Sequence, residues 1–236
     1  MLLATRSDDP AERTRAFETI VGAYWKPVYK YIRIRWNKNN EDAKDLTQDF
    51  FARVIEKGFL DSFDPAKARL RTFLRVCVDG FLSNQEKAAR RIKRGGDAAA
   101  LPLDFETAEE ELGRAGRSPL PASASAGVMD EYFQQEWLRH LFGVSLEALR
   151  EELAARGKEV YFRLFERYDL EEENSARPTY AELADEFGVA ATDVTNFLAY
   201  ARREFRCIVL EKLRALTASE DEFRREARAV LGVEPE

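Results

Sequence analysis

The sequence is poor in the side chains that most enzymes and secreted proteins depend on. Its 236 residues contain two cysteines, Cys77 and Cys207, so no disulfide framework supports the fold and an intracellular chain is expected. The single histidine, His140, excludes a histidine metal cage and any two-histidine mechanism. No apolar run approaches the roughly 18–20 residues needed to cross a bilayer. Residues 1–10 carry one basic residue and no leader-like apolar stretch, so a cytoplasmic location is expected. Carboxylates cluster at Glu41, Asp42 and Asp45 and again at Glu109–Glu111, but neither cluster accompanies a nucleophile–base pair. The chain is therefore expected to be non-catalytic and to need no cofactor or metal. No segment has strand-length alternation.

What the chain has is charge and helical periodicity. Charged residues make up 34% of it, against roughly 25% in an ordinary soluble domain. The balance is −6, which at first argues against a nucleic-acid partner. Phe17, Ile20, Val21, Tyr24, Trp25, Val28, Tyr31 and Ile32 recur at helical spacing behind an Asp9-Pro10-Ala11-Glu12 start signal. A second helix is predicted from Asn40 to the Lys57-Gly58 stop. A third carries Leu70, Phe73, Leu74, Cys77, Val78, Phe81 and Leu82 on one face, with a break near Asp79-Gly80. Residues 97–128 hold an acidic run and then a Pro/Ser/Ala stretch, the composition of a disordered linker. Helical blocks return at about 129–157 and 158–169, then at 180–187 and 193–214, and a last short helix is expected from Ser219, where Ser-Glu-Asp-Glu222 is a capping box. The expected fold is all-α, with two helical domains joined by a flexible acidic linker: residues 10–96 and 129–216, followed by an acidic extension over 217–236.

Three surfaces carry functional signals. On the second helix Asp42, Asp45 and Asp49 share one side, opposite Ala43, Leu46, Thr47, Phe50 and Val54. Such a stripe is either a solvated face or a docking surface for a basic partner. The segment 69–94 concentrates Arg69, Arg71, Arg75, Lys87, Arg90, Arg91, Lys93 and Arg94 against only Asp79 and Glu86, and nets +6. Local cation density is the footprint of phosphate binding. Phe81, Ser83 and Asn84 beside it could stack on or hydrogen-bond unpaired bases, although Phe81 could equally be core. The third surface follows Thr179-Tyr-Ala-Glu182, a capping box. Ala184, Gly188 and Val194 have helix-turn-helix spacing: a small residue at the crossing, a left-handed turn, and an apolar seat for the second helix. Any tight helical hairpin would favour the same residues. The second helix would present Thr192, Thr195, Asn196, Ala199, Tyr200 and Arg203, with Arg202 and Arg206 suited to phosphate contact. Residues 192–200 contain no Lys or Arg.

In this order the elements resemble a bacterial RNA polymerase sigma factor of the extracytoplasmic-function group. The resemblance runs from Tyr24-Trp25-Lys-Pro-Val-Tyr-Lys-Tyr31 and Glu41-Asp-Ala-Lys-Asp-Leu-Thr-Gln-Asp-Phe-Phe51 through Phe63-Asp-Pro65, the basic run ending Lys93-Arg-Gly-Gly96, and the helix-turn-helix. It implies that Asp42, Asp45 and Asp49 dock on core RNA polymerase. It implies further that the stretch from Gly80, with Arg75, Phe81, Ser83, Asn84, Lys87, Arg90, Arg91, Lys93 and Arg94, opens the minus-ten element of promoter DNA. The helix from Thr192 would recognise the minus-thirty-five element, and the acidic linker would thread a basic polymerase channel. Lys44, where the family commonly has an acid, and the 192–200 stretch without Lys or Arg, where Thr195, Phe197 and Tyr200 fall at positions that are frequently basic, are departures. They support an alternative, a helix-turn-helix regulator or helical adaptor that no longer engages polymerase. Thr47 is a candidate phosphorylation site. An anti-sigma protein, a regulatory kinase or the 217–236 extension is a candidate regulator.

Overall fold

The computed structural model describes residue 5 and residues 7–56, 59–89, 101–114, 124–171 and 177–232, and among these it is helical without a strand. Helix α1 spans Pro10–Arg35, α2 Asn40–Glu56, α3 Leu70–Ala89, α4 Phe105–Arg114 and α5 Ala126–Ala155. Then come α6 at Glu159–Phe165, continued by a π-helical turn at Glu166–Leu170, α7 at Tyr180–Phe187, α8 at Ala191–Ala215 and α9 at Glu220–Leu231. The helices form two units, one comprising residues 1–140 and 215–223 and the other 141–214 and 224–236.

In the first unit α1 starts as its sequence directs. Asp9 Oδ1 accepts the Ala11 N–H at 2.9 Å, and Pro10 occupies the first helical position, where its missing N–H costs nothing. The apolar stripe of α1 is buried along its length, from Phe17 to Ile32. Helix α2 buries Ala43, Thr47, Phe50, Phe51 and Val54. Phe50 meets Phe51 and Phe81 edge-on, with ring centroids 5.2 and 5.8 Å apart. Helix α3 runs unbroken through Gly80, which lies exposed with empty space where a Cβ would stand. The expected break is absent, and Asp79 beside it is held from three sides, by Tyr31, Trp36 and Arg75.

Three boundaries differ from expectation. Residues 101–114 are not linker. Asp104 accepts the Thr107 N–H at 3.2 Å and starts α4, whose Phe105 and Ala108 are buried. Phe105 seats on Trp25 and Tyr29 at 5.5 and 5.0 Å. Residues 97–100 and 115–123 of the predicted linker lie outside the described residues, and its last three, 126–128, begin α5. The second boundary falls inside α5, not at residue 129. Met129, Tyr132, Phe133 and Trp137 recur at helical spacing and are buried in the first unit, where Phe133 packs edge-on to Tyr31 and Trp137 stacks on Tyr24. Third, the 217–236 extension is not simply solvated: the short helix predicted from Ser219 is α9, with Ser219 Oγ accepting the Glu222 N–H at 3.2 Å. Phe223 and Ala227 give α9 an apolar stripe that is fully buried, where a solvated extension is the composition-based expectation.

The second unit is organised by the C-terminal half of α5 with α6, α7 and α8. Leu149, Leu153, Phe162, Phe165, Leu183, Val194, Leu198 and Ala201 form its core. Capping defines α7. Thr179 Oγ1 accepts the Glu182 N–H at 3.2 Å while the Glu182 carboxylate accepts the Thr179 N–H at 2.7 Å. Gly188 ends it in the left-handed conformation, φ 65°, and the Val189 N–H closes back on the Ala184 carbonyl at 3.0 Å.

Candidate functional site

Helices α7 and α8 are joined by the short turn at Gly188, whose left-handed backbone and buried neighbours follow the Ala184, Gly188 and Val194 spacing. Leu183 and Val194 are completely buried and Ala184 nearly so, all three in the common core of this unit. This leaves Thr192, Thr195, Asn196 and Ala199 exposed on the outer face of α8. Four of the other predicted contacts differ in availability. Tyr200 is half-buried. Its hydroxyl accepts from Arg156 at 3.1 Å, Lys158 Nζ stands 4.0 Å above its ring, and these cations hold its phenol below the usual value, Lys158 most strongly. Arg202 is exposed but ion-paired to Asp169 at 2.8 Å, which raises its already high pKa. Arg203 lies over the Tyr200 ring at 5.0 Å and pairs with Glu204 at 3.5 Å. Arg206 is exposed. Sequence reasoning missed Arg156 and Lys158, which come from the turn before α6; a cation beside an aromatic on another helix leaves no periodic signal.

The acidic stripe of α2 is present as a surface. Asp42 and Asp45 are exposed and Asp49 half-buried. Partial burial and the nearby Asp45 raise the Asp49 pKa, against the pull of Arg53. Asp42 is fixed by Asn39, which donates to it at 2.9 Å. Lys44 does not neutralise the stripe directly, because its ammonium pairs with Glu41 at 3.0 Å. Thr47 is fully buried with its hydroxyl donating to the Ala43 carbonyl at 2.7 Å, so a kinase could not reach it in this fold.

On α3 the predicted DNA-facing set divides. Phe81 is core: it packs on Phe50, and Arg53 lies 5.0 Å from its ring centre. Arg75 is also internal. It is buried with its guanidinium donating to Asp79 at 2.7 Å and to Asp130, two carboxylates that satisfy it within the unit. Both corrections share one physical reason: helical phase turns these side chains inward, which a count of charge along the segment ignores. Ser83 is half-buried and Asn84 and Lys87 are exposed, one turn apart on the outer side. Arg90, Arg91, Lys93 and Arg94 lie outside the described residues.

The sequence also concealed a fourth constellation. On α1, Lys26, Lys30 and Arg33 face the acids of α4. Arg33 holds Glu109 through two bonds of 2.6 and 2.9 Å, and the Tyr29 hydroxyl donates to Glu109 at 2.6 Å. Glu111 accepts from Lys26 at 2.8 Å and Lys30 at 2.5 Å. The Arg33 bonds hold the Glu109 carboxyl below its ordinary value. Burial opposes the same effect at Glu111, but the two lysines outweigh it. The only trace in the sequence is the i, i+4, i+7 spacing of the three cations.

No described helix is long and apolar enough to cross a membrane. Among the described residues no group of three or more His, Cys, Asp or Glu could hold a metal ion. Comparison of the chain with protein-family models, curated proteins and solved structures returns no match.

Proposed function

We propose that the chain is a transcription initiation factor of the extracytoplasmic-function sigma type, which binds core RNA polymerase and directs it to promoters. The observation that carries this reading is the capped helix-turn-helix at Thr179–Ala215, whose α8 turns Thr192, Thr195 and Asn196 to solvent. Short hydroxyl and amide side chains there suit base edges and phosphates in a major groove. The exposed Asp42–Asp45 stripe supports the same reading as a surface for a basic partner helix. On α3 the described residues that remain for DNA are Ser83, Asn84 and Lys87. The chain's role needs no chemistry of its own, since polymerase supplies the reaction.

The test is run-off transcription with purified core polymerase on promoter fragments from the source genome. Transcripts that depend on the chain, and are lost with Asn196→Ala or Thr195→Ala in a promoter-specific way, are the expected result. Their absence with every fragment sinks the reading. The runner-up, a helix-turn-helix regulator without polymerase binding, draws on Lys44, whose pairing with Glu41 alters the acidic surface. It predicts DNA binding with no retention of core polymerase in a pull-down.

A further inference from the structure

The face of α1 formed by Trp25, Lys26, Tyr29, Lys30 and Arg33 is built to hold an acidic helix, and α4 shows what such a helix needs. One aromatic, Phe105, enters between Trp25 and Tyr29. Carboxylates four and six residues later, Glu109 and Glu111, meet the three cations. Helix α4 has ten residues and buries only Phe105 and Ala108. Helices shorter than roughly 12–15 residues are marginal in water, so its helicity depends on being docked. Undocking α4 frees two buried apolar side chains and breaks ion pairs whose carboxylates, Glu109 and Glu111, are partly open to solvent and salt, while the buried Lys30 keeps Glu136 as its partner.

The receiving face, by contrast, is held in place without α4. Lys30 is buried and also pairs with Glu136 of α5 at 3.1 Å. Arg33 also donates to the Lys38 carbonyl. Trp25 rests edge-on against His140, whose ring bonds the Gly22 carbonyl at 2.7 Å. A cationic, aromatic-floored surface that stays formed when its occupant leaves is a preorganised binding site.

We propose that this α1 face is a docking site for acidic helices, with α4 as its resident occupant, and that an acidic helix of a partner protein bearing an aromatic followed by carboxylates at +4 and +6 exchanges with α4. The partner is defined by that pattern. Residence of α4 makes the site self-masked, so an incoming helix must outcompete an intramolecular one.

The probe is a fluorescently labelled peptide of residues 101–114, titrated by anisotropy into three full-length proteins: the wild type, E109Q/E111Q, and F105A/E109Q/E111Q. Both variants are checked for an unchanged α1–α3 core by cooperative thermal unfolding, and the milder one keeps Phe105 in case the triple variant does not fold. The peptide is expected to bind the two variants with weakened α4 docking at least tenfold more tightly than the wild type. It should also bind them tenfold more tightly than a control peptide lacking the aromatic and the two carboxylates, with affinity falling as salt rises. Adding R33E to the weakened protein should abolish the difference between peptides. Equal binding of the two peptides, or no binding to either folded variant, overturns the proposal. Wild-type protein that dimerises with concentration while the variants stay monomeric overturns it in another way, by assigning the face to α4 of a second copy. None of these outcomes depends on polymerase, so they stand apart from the transcription assay.

Discussion

His140 couples folding to pH through one buried ring. Burial is the largest influence on it and lowers its pKa to about 4, although the bond to the Gly22 carbonyl pulls the other way. The folded state therefore resists a proton that the unfolded chain takes up near its ordinary 6.5. This contribution is complete above the unfolded value and is lost as pH falls from about 6.5 toward 4. From pH 7 to pH 5 the loss is about 2 kcal/mol. In denaturant titrations at the two pH values, His140→Gln, whose amide can still donate to Gly22, is expected to remove most of that difference. A wild-type slope unchanged in the variant would place the pH dependence elsewhere. Gly188 is a second single-residue test. Nothing lies within 4 Å of where its Cβ would be, so the cost of Gly188→Ala is that of the left-handed backbone alone, about 1 kcal/mol. A loss well above that, measured by thermal unfolding, would mean the turn meets packing not evident at this position.

At the scale of elements, α3 separates residues that hold the fold from residues free to meet a ligand. Arg75→Ala leaves Asp79 and Asp130 without their shared cation and is expected to cost about 2–3 kcal/mol of stability. Asn84→Ala and Lys87→Ala, both at exposed positions, should leave stability within about 0.5 kcal/mol. If the folded Arg75→Ala protein weakens open-complex formation while keeping wild-type stability, its internal assignment is wrong. Much of this element was legible beforehand: the apolar period of Leu70, Leu74, Val78 and Leu82 is the observed core. The same holds for α1 and for the turn at Gly188, where caps and period are encoded within a few neighbouring residues. What the sequence did not disclose is long-range. Arg33 and Glu109 are 76 residues apart, and Lys26 and Glu111 are 85 apart. A run of acids read alone has the composition of a solvated linker, and only its partners on α1 turn it into a packed helix. Phe81 is ambiguous in sequence for a related reason, since an aromatic at the edge of a basic stretch suits either stacking or core.

For the whole molecule, the balance of −6 averages surfaces of opposite sign and purpose. Acids are spent partly inside the first unit, where Glu109, Glu111 and Glu136 neutralise cations of α1, and partly on the outer stripe of α2. The second use is the one that a partner would feel. Reversal of Asp45 and Asp49 to Lys is expected to abolish retention of core polymerase while circular dichroism stays that of the wild type. Normal retention would remove the α2 stripe from the polymerase-docking assignment. Burial of Lys30 has a further consequence, in the chemistry of its amine. Reagents that methylate or acetylate lysines should modify exposed Lys67 and Lys87 within minutes and leave Lys30 untouched while Glu111 and Glu136 enclose it. The lysine modification map, obtained by mass spectrometry on the intact protein, thus becomes a gauge of α4: with labelling slower than redocking, the rate at which Lys30 acquires a label, relative to exposed lysines, is the fraction of time its cover is lifted.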